Sequence, residues 1–476
     1  MRRRGGLEKR AGPRCAIVPP RSIAAIEPSR KAIDALSRCL RGTVVRPDDP
    51  RFPIGRRVWN AAIDRHPAAI VLCDDAEDVA LAVRIAADSG ASMTVRGGGH
   101  SVAGRSVADG ALLVDLSRMR GVVVNDGAKV AVVQGGASWH DVDIATAPAG
   151  LATTGGMVSS TGVGGLTLGG GTGWLMRRHG LAIDNLLAAG VVLADGRFVR
   201  ASANENAELF YGLRGGAGGF GVVTSFEFQL HPLRHVLAGL IVRPAVEASD
   251  TLRTFRDFAG SAPEEFCGVV VIARAPTLPF LPASWHGEPV VMSALCWCGD
   301  PTEGERALEP LHRFGSPLAV HIGPMPYVQW QHMLDGSAPP ARYQYWKNAT
   351  CDRLSDAIIS LLASAANDLP SRYTEIHVQH LGGAVARVAD GDTAFASRRA
   401  AFFVNLIGVT AWVEEFGDMR MRVRQLHDSL APSALPGLLP NFIDRDDGDV
   451  TARLDAVRAQ RIASLRQRYD PHGSFV

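Results

Sequence analysis

The residues with chemical potential are concentrated in a few places. "RGGGHS", Arg96 to Ser101, sets three glycines against a histidine. Gly97, Gly98 and Gly99 each cost backbone entropy on folding, so the run implies a backbone that passes close to something. Glycine-rich loops hold phosphate by presenting N–H groups to an anion. A second field, "TGVGGLTLGGGTGW", runs from Thr161 to Trp174 and repeats the signal. Together the two suit a dinucleotide, although either alone suits an ordinary turn. His100, at the tip of the first, could be a phosphate contact, a metal ligand, a general base or a covalent anchor. The metal role is weakest, because no carboxylate or second histidine stands at ligand spacing.

Other patterns are less specific. Gly216, Gly218 and Gly221 spell a literal G-x-G-x-x-G. The Rossmann fingerprint needs a helix next, and "VVTSFEFQL" reads as a strand, so the match belongs to a tight turn. Further on, "YTEIHVQH" alternates, which places Tyr373, Glu375, His377 and Gln379 on one strand face. An imidazole that titrates near about pH 6.5 suits base work, and the bland alternative for His377 is a hydrogen-bonded strand histidine. Tyr345 and Lys347 in "YQYWK" are further candidates, against plain packing.

The elements around these residues alternate. "AEDVALAVRIAAD" has helical spacing at Val79, Ala82, Val83 and Ala86, with Asp75 as cap and Gly90 past its end. A short strand "ASMTV" feeds the first glycine loop, and "ALLVDL" is another strand. "VVVNDGAKVAVV" is a hairpin turned at Asn125-Asp126-Gly127, and a second turns at Asp195-Gly196. "SWHDVDIATAPAG" reads as a helix closed by Gly150. This half is α/β or α+β. After Pro232 glycine thins and long strands such as "PVVMSALCWCG" alternate with helices such as "RLSDAIISLLASAAND". "TARLDAVRAQRIASLRQRYDP" reads as one amphipathic helix.

Bulk properties bound the rest. The length of 476 residues predicts two or three domains. A net charge of +2 gives no general attraction for nucleic acid or an acidic membrane. Residues 1–25 read as a basic, disordered tail without a secretory signal, and no apolar run reaches transmembrane length. "AAFFVNLIGVTAW" suits a buried strand. Seven scattered cysteines favour a reducing, cytoplasmic setting over a disulfide framework or zinc.

"RGGGHSVAG", "TGVGGLTLGGGTGWLMRRHGLAIDNL" and "LRGGAGGFGVVTSFEF" resemble flavoproteins of the vanillyl-alcohol-oxidase superfamily, more narrowly its berberine-bridge-enzyme-like branch. The likeness runs from about Arg56 to Pro232 and resumes at "LPNFIDRDDGD" and "RYDP". It implies an α+β fold: a PCMH-type FAD-binding domain of two α/β subdomains, plus a substrate domain with an antiparallel sheet covered by helices. The implied division is 26–232 (core about 65–232), 233–436, and a segment 437–476 that completes the FAD domain.

The resemblance makes FAD the cofactor and His100 its covalent anchor, with Arg96 to Gly99 and Ser101 as the pyrophosphate cradle. It also places Thr161, Gly162, Gly164, Gly165, Gly171, Val222 and Asn441 at the cofactor. Some members add a cysteine link; the matching position is Val158, which implies a single covalent bond. Two familiar bases are replaced: Gln379 stands for a glutamate and Phe442 for a tyrosine. His377, with Gln379, Tyr345 and Lys347, then makes up the catalytic candidates. Relatives continue past "RYDP" with a phenylalanine and an Asn-Gln-Asn segment, where this chain has "HGSFV". The implied activity is an FAD-dependent oxidase that takes hydride from a small alcohol, sugar, amine or secondary metabolite, with molecular oxygen as acceptor. The alternatives are a dehydrogenase with another acceptor, or a flavin-binding protein of little activity.

Overall fold

A computed structural model of the chain describes residues 25–448 and 453–476. The expected tail, 1–25, lies outside them but for its last residue. The described residues are mixed α+β. A four-stranded sheet has the order β1 (Thr43–Val45), β2 (Ala69–Leu72), β4 (Leu112–Asp115), β3 (Met93–Arg96), with β2, β4 and β3 parallel. The helix Ala76–Ser89 covers it, burying Val79, Ala82, Val83 and Ala86, the positions its spacing predicts. Asp75 caps that helix by accepting from the Asp78 N–H, and Gly90 closes it at φ +65°.

A second, antiparallel sheet has the order β5 (Val122–Asn125), β6 (Val130–Gln134), β10 (Val222–Gln229), β8 (Leu186–Val192), β9 (Phe198–Ser202). Both predicted hairpins are present in it. A small pair, β7 (Leu151–Ala152) with β11 (His231–Pro232), lies alongside.

The largest sheet is antiparallel: β15 (Ala319–Pro326), β12 (His235–Pro244), β14 (Pro289–Trp297), β13 (Phe266–Arg274), β17 (Glu375–His380), β18 (Phe402–Thr410), β16 (Tyr343–Cys351). Helices Ala248–Ala259, Asp356–Ala365 and Val413–Leu430 cover one face, packing on Phe266, Val270, Ile376, Val404 and Leu406. The other face looks toward the glycine loops. One row across it, fixed by register, is Val271, His377, Asn405, Asn348. The last helix begins at Ala456, capped by Asp455, later than its sequence pattern suggests. It packs on the helix Ala207–Leu213, and Phe475 beyond it lies parallel to Met93 of β3.

Candidate active site

One cavity of about 900 Å³ runs between the glycine loops and the open face of the large sheet. Strand β3 stops at Arg96 and delivers Gly97, Gly98, Gly99, His100 and Ser101 to its wall. The short helix Val163–Leu168 delivers Thr161, Gly162, Gly164 and Gly165 from the other side. The two backbones touch: a Cβ on Gly98 would meet the Cα and N of Gly162 at 2.5 Å. This close approach is what the glycine runs are for. Gly218, Gly219 and Gly221 also line the cavity, so the third glycine cluster, although followed by a strand as expected, belongs to the site.

His100 stands at the junction. Its ring stacks on Trp59 with centroids 5.0 Å apart and planes 16° apart, and Nε2 lies 3.1 Å from the Ser160 hydroxyl. Burial lowers the imidazole to about 4, against a raising influence from Asp335. The ring is therefore neutral near pH 7, and among the described residues Nδ1 has no hydrogen-bond partner. Neither Trp59 nor Ser160 carries a sequence signal, because each meets His100 only through the fold.

On the sheet side, Glu375, His377 and Gln379 line the cavity from alternate positions of β17, as the strand pattern predicts. Tyr373 precedes the strand; its ring lies under the guanidinium groups of Arg342 and Arg372. His377 Nε2 is 2.7 Å from Glu375 Oε2. An Nε2–H that donates to the Glu375 carboxylate leaves Nδ1 as the acceptor of the ring. Gln379 contacts Met157 Sδ at 3.7 Å. Asn405, which is 1% exposed and lines the cavity on β18 beside His377, has an Oδ1 without a protein partner.

Five expected site residues lie elsewhere. Tyr345 and Lys347 occupy the opposite face of β16, while Gln344 and Trp346 face the cavity. The Tyr345 hydroxyl donates to Asp446 at 2.8 Å, and Lys347 pairs with Asp446 and Asp447, so both anchor the segment after Phe442. The Arg96 guanidinium turns away to Asp115 and the Arg57 carbonyl. Val222 is buried under the four-stranded sheet's helix. Gly171 is outside the wall, but its N–H donates to Asn441 Oδ1 at 3.0 Å. Asn441 itself lines the cavity and also donates to the carbonyls of Gly165 and Leu166, so it braces the second loop.

The cavity fits a dinucleotide on its own terms. Glycine backbone lines it from three loops, and Arg105, Arg445 and Arg466 are among the lining residues.

Residues 67–202 match a family described as an FAD binding domain. An FAD-linked oxidoreductase of Dictyostelium discoideum is 28% identical over 424 residues, 88% of this chain and 89% of that protein. The crystal structure of 6-hydroxy-D-nicotine oxidase from Arthrobacter nicotinovorans superposes with a TM-score of 0.80 at 26% identity, covering 92% of this chain and 96% of that one. The fold is shared as well by the glucooligosaccharide oxidase of Acremonium strictum, described with a 6-S-cysteinyl, 8α-N1-histidyl FAD. It gives a TM-score of 0.81 at 24% identity over 93% of this chain and 97% of its own. Residues 67–202 thus carry an FAD binding domain whose glycine loops border the cavity, and the chain as a whole is similar to FAD-linked oxidoreductases.

Proposed function

We propose that the protein is an FAD-dependent oxidase whose cofactor is tied by one covalent bond to His100, with His377 as the catalytic base. The observation that carries this reading is that both histidines border a single cavity, one on the glycine cradle and one on the sheet. FAD supplies the two-electron acceptor that takes hydride from a substrate C–H.

The chain's own residues do the rest. The amides of Gly97 to Gly99, Gly162 and Gly164 would hold the pyrophosphate, and Arg105, Arg445 and Arg466 would offset part of its charge. Trp59 and Ser160 hold the His100 ring, whose low proton affinity leaves a nucleophilic nitrogen. Val158, also on the wall, has no sulfur for a second link. His377 Nδ1 takes the proton from a small alcohol, sugar, amine or related metabolite as its C–H breaks. Apolar side chains of the sheet, among them Val269 and Phe403, keep water away. Oxygen is the final acceptor. The division into 26–232, 233–436 and 437–476 belongs to the same proposal, supported by the separation of the large sheet from the other two.

The test is direct. Acid-precipitated holoprotein should stay yellow and carry one FAD of extra mass. Reduced protein mixed with oxygen in a stopped-flow instrument should reoxidise rapidly. A colourless pellet with the bare polypeptide mass overturns the tether, and sluggish reoxidation overturns the oxidase assignment.

A further inference from the structure

A cluster of titratable side chains adjoins His100 and takes no part in the chemistry above. Asp335 opens the short turn Asp335–Ser337. Its carboxylate accepts twice from Ser159, from the N–H and from the hydroxyl, each at 2.7 Å. Ser160, the next residue, is the partner of His100 Nε2 at 3.1 Å. Ala338 follows the turn, and its carbonyl accepts from Trp59 Nε1 at 3.1 Å. Trp59 is the ring stacked on His100, and its own N–H donates to the Gly99 carbonyl at 3.1 Å.

Both neighbours of the imidazole are therefore fastened to one stretch of chain. Asp335 lies 176 positions from Ser159 and Ala338 lies 279 from Trp59, so tertiary structure alone brings them together. Leu334, Ser337 and Ala338 of that stretch line the cavity. Asp335 is also the charge that raises the proton affinity of His100 against burial. His332 Nδ1 stands 3.6 Å from the Asp335 carboxylate, His140 Nδ1 lies 3.2 Å from His332 Nε2, and the charge of Asp335 reaches buried Asp143. Among the described residues no group of three or more His, Cys, Asp or Glu is placed to hold a metal ion.

We infer that Asp335 is a positioning residue for His100, holding Ser160 and Trp59 against the ring so that it is ready to receive FAD; this rests on the tether reading above. Forming the tether exchanges one C–H of a flavin methyl group and the imidazole N–H for a C–N bond. The two protons and two electrons so released reduce the flavin, and oxygen then takes them up. While Nδ1 gives its lone pair and Nε2 keeps its proton, the ring is positive. A fixed carboxylate nearby favours that charge, and Ser160 accepts from the Nε2–H until the proton leaves. Asp335 itself is off the cavity wall and acts through Ser159 and the turn.

The experiment uses full-length protein produced in riboflavin-starved cells and then mixed with FAD. Reversible binding is read from the change in flavin fluorescence on mixing. Attachment is read over time from flavin fluorescence in denaturing gels. Asp335→Asn keeps an oxygen for the Ser159 N–H but removes the charge. It should slow attachment about tenfold or more, the size of a lost charge-assisted hydrogen bond, with FAD affinity within about threefold. Asp335→Glu should recover part of the rate, and Ser159→Ala should slow it less than Asp335→Asn. A second readout needs no FAD: the reaction of His100 with diethyl pyrocarbonate, followed on its peptide by mass spectrometry. Asp335→Ala frees the ring and should speed that reaction about fivefold or more.

Attachment by Asp335→Asn at the parent rate overturns the inference. So does a loss of FAD affinity that matches the slower attachment, or an unchanged His100 reactivity in Asp335→Ala. A parent that binds FAD and never attaches it removes the tether reading instead, and the reactivity of His100 then decides whether Asp335 holds the ring.

Discussion

Gly98 and Gly162, 64 positions apart in the chain, lie in backbone contact: a methyl group on Gly98 would sit 2.5 Å from the Cα and N of Gly162. No flexible side chain is there to yield. Gly98→Ala and Gly162→Ala should therefore each force the two loops apart and remove most bound FAD, measured as absorbance per protein after gel filtration. Gly417→Ala, in the helix Val413–Leu430 with nothing within 4 Å, should instead gain about 0.5–1 kcal/mol. Retention of FAD by Gly98→Ala would refute the contact.

His100→Ala should abolish attachment, giving a protein whose FAD is lost on acid precipitation. Trp59→Ala removes the stacked partner and should slow attachment without preventing it, as followed by in-gel flavin fluorescence. Because His100 is held near about 4, attachment should be level between pH 6 and 8. A rise across that interval would mean that the imidazole titrates there.

For chemistry, His377→Asn should lower kcat by about 10²- to 10⁴-fold, the usual range for a general base. Substrate binding, followed by fluorescence, should move far less. If kcat is unchanged, His377 is a strand histidine and nothing more.

Lys347→Met tests the reassigned face of β16. Asp446 and Asp447 would lose a buried ammonium partner, which should cost about 3–5 kcal/mol of stability in urea unfolding. The kcat of folded enzyme should stay within about twofold. A collapse of kcat at unchanged stability would return Lys347 to the catalytic group.

Asp143 lies buried with Gln331 Nε2 at 3.3 Å, and burial, with Asp335 nearby, pushes its carboxyl up to about 7. The native state thus keeps a proton that the unfolded chain releases near about pH 4. Its contribution is full below that value, declines as pH rises toward about 7, and is level beyond. Asp143→Asn should lose this dependence, so its stability relative to the parent should rise by up to about 4 kcal/mol between pH 4 and 8. A constant difference across that range would show that the carboxyl titrates normally.

Much of the cradle was legible from sequence because glycine runs report a backbone requirement directly. His100 and Asn441, which the resemblance singles out, both line the cavity. The alternation of Glu375, His377 and Gln379 also translated into one face. Tyr345 and Lys347 did not, because β16 is buried on both sides and alternation alone does not say which layer is the cavity. Arg96 failed for another reason: its backbone leads into the loop, yet Asp115 on the neighbouring strand captures its side chain. Trp59, Ser160 and the three cavity arginines are joined to the site only by tertiary contact, which no local pattern encodes.

Asn441 has a consequence for biosynthesis. The second loop, at residues 165–171, is held by an amide that the ribosome adds some 270 residues later. A nascent chain therefore carries both halves of the cradle long before it carries their brace. Segments made without the stretch around Asn441 should therefore retain less FAD than the whole chain.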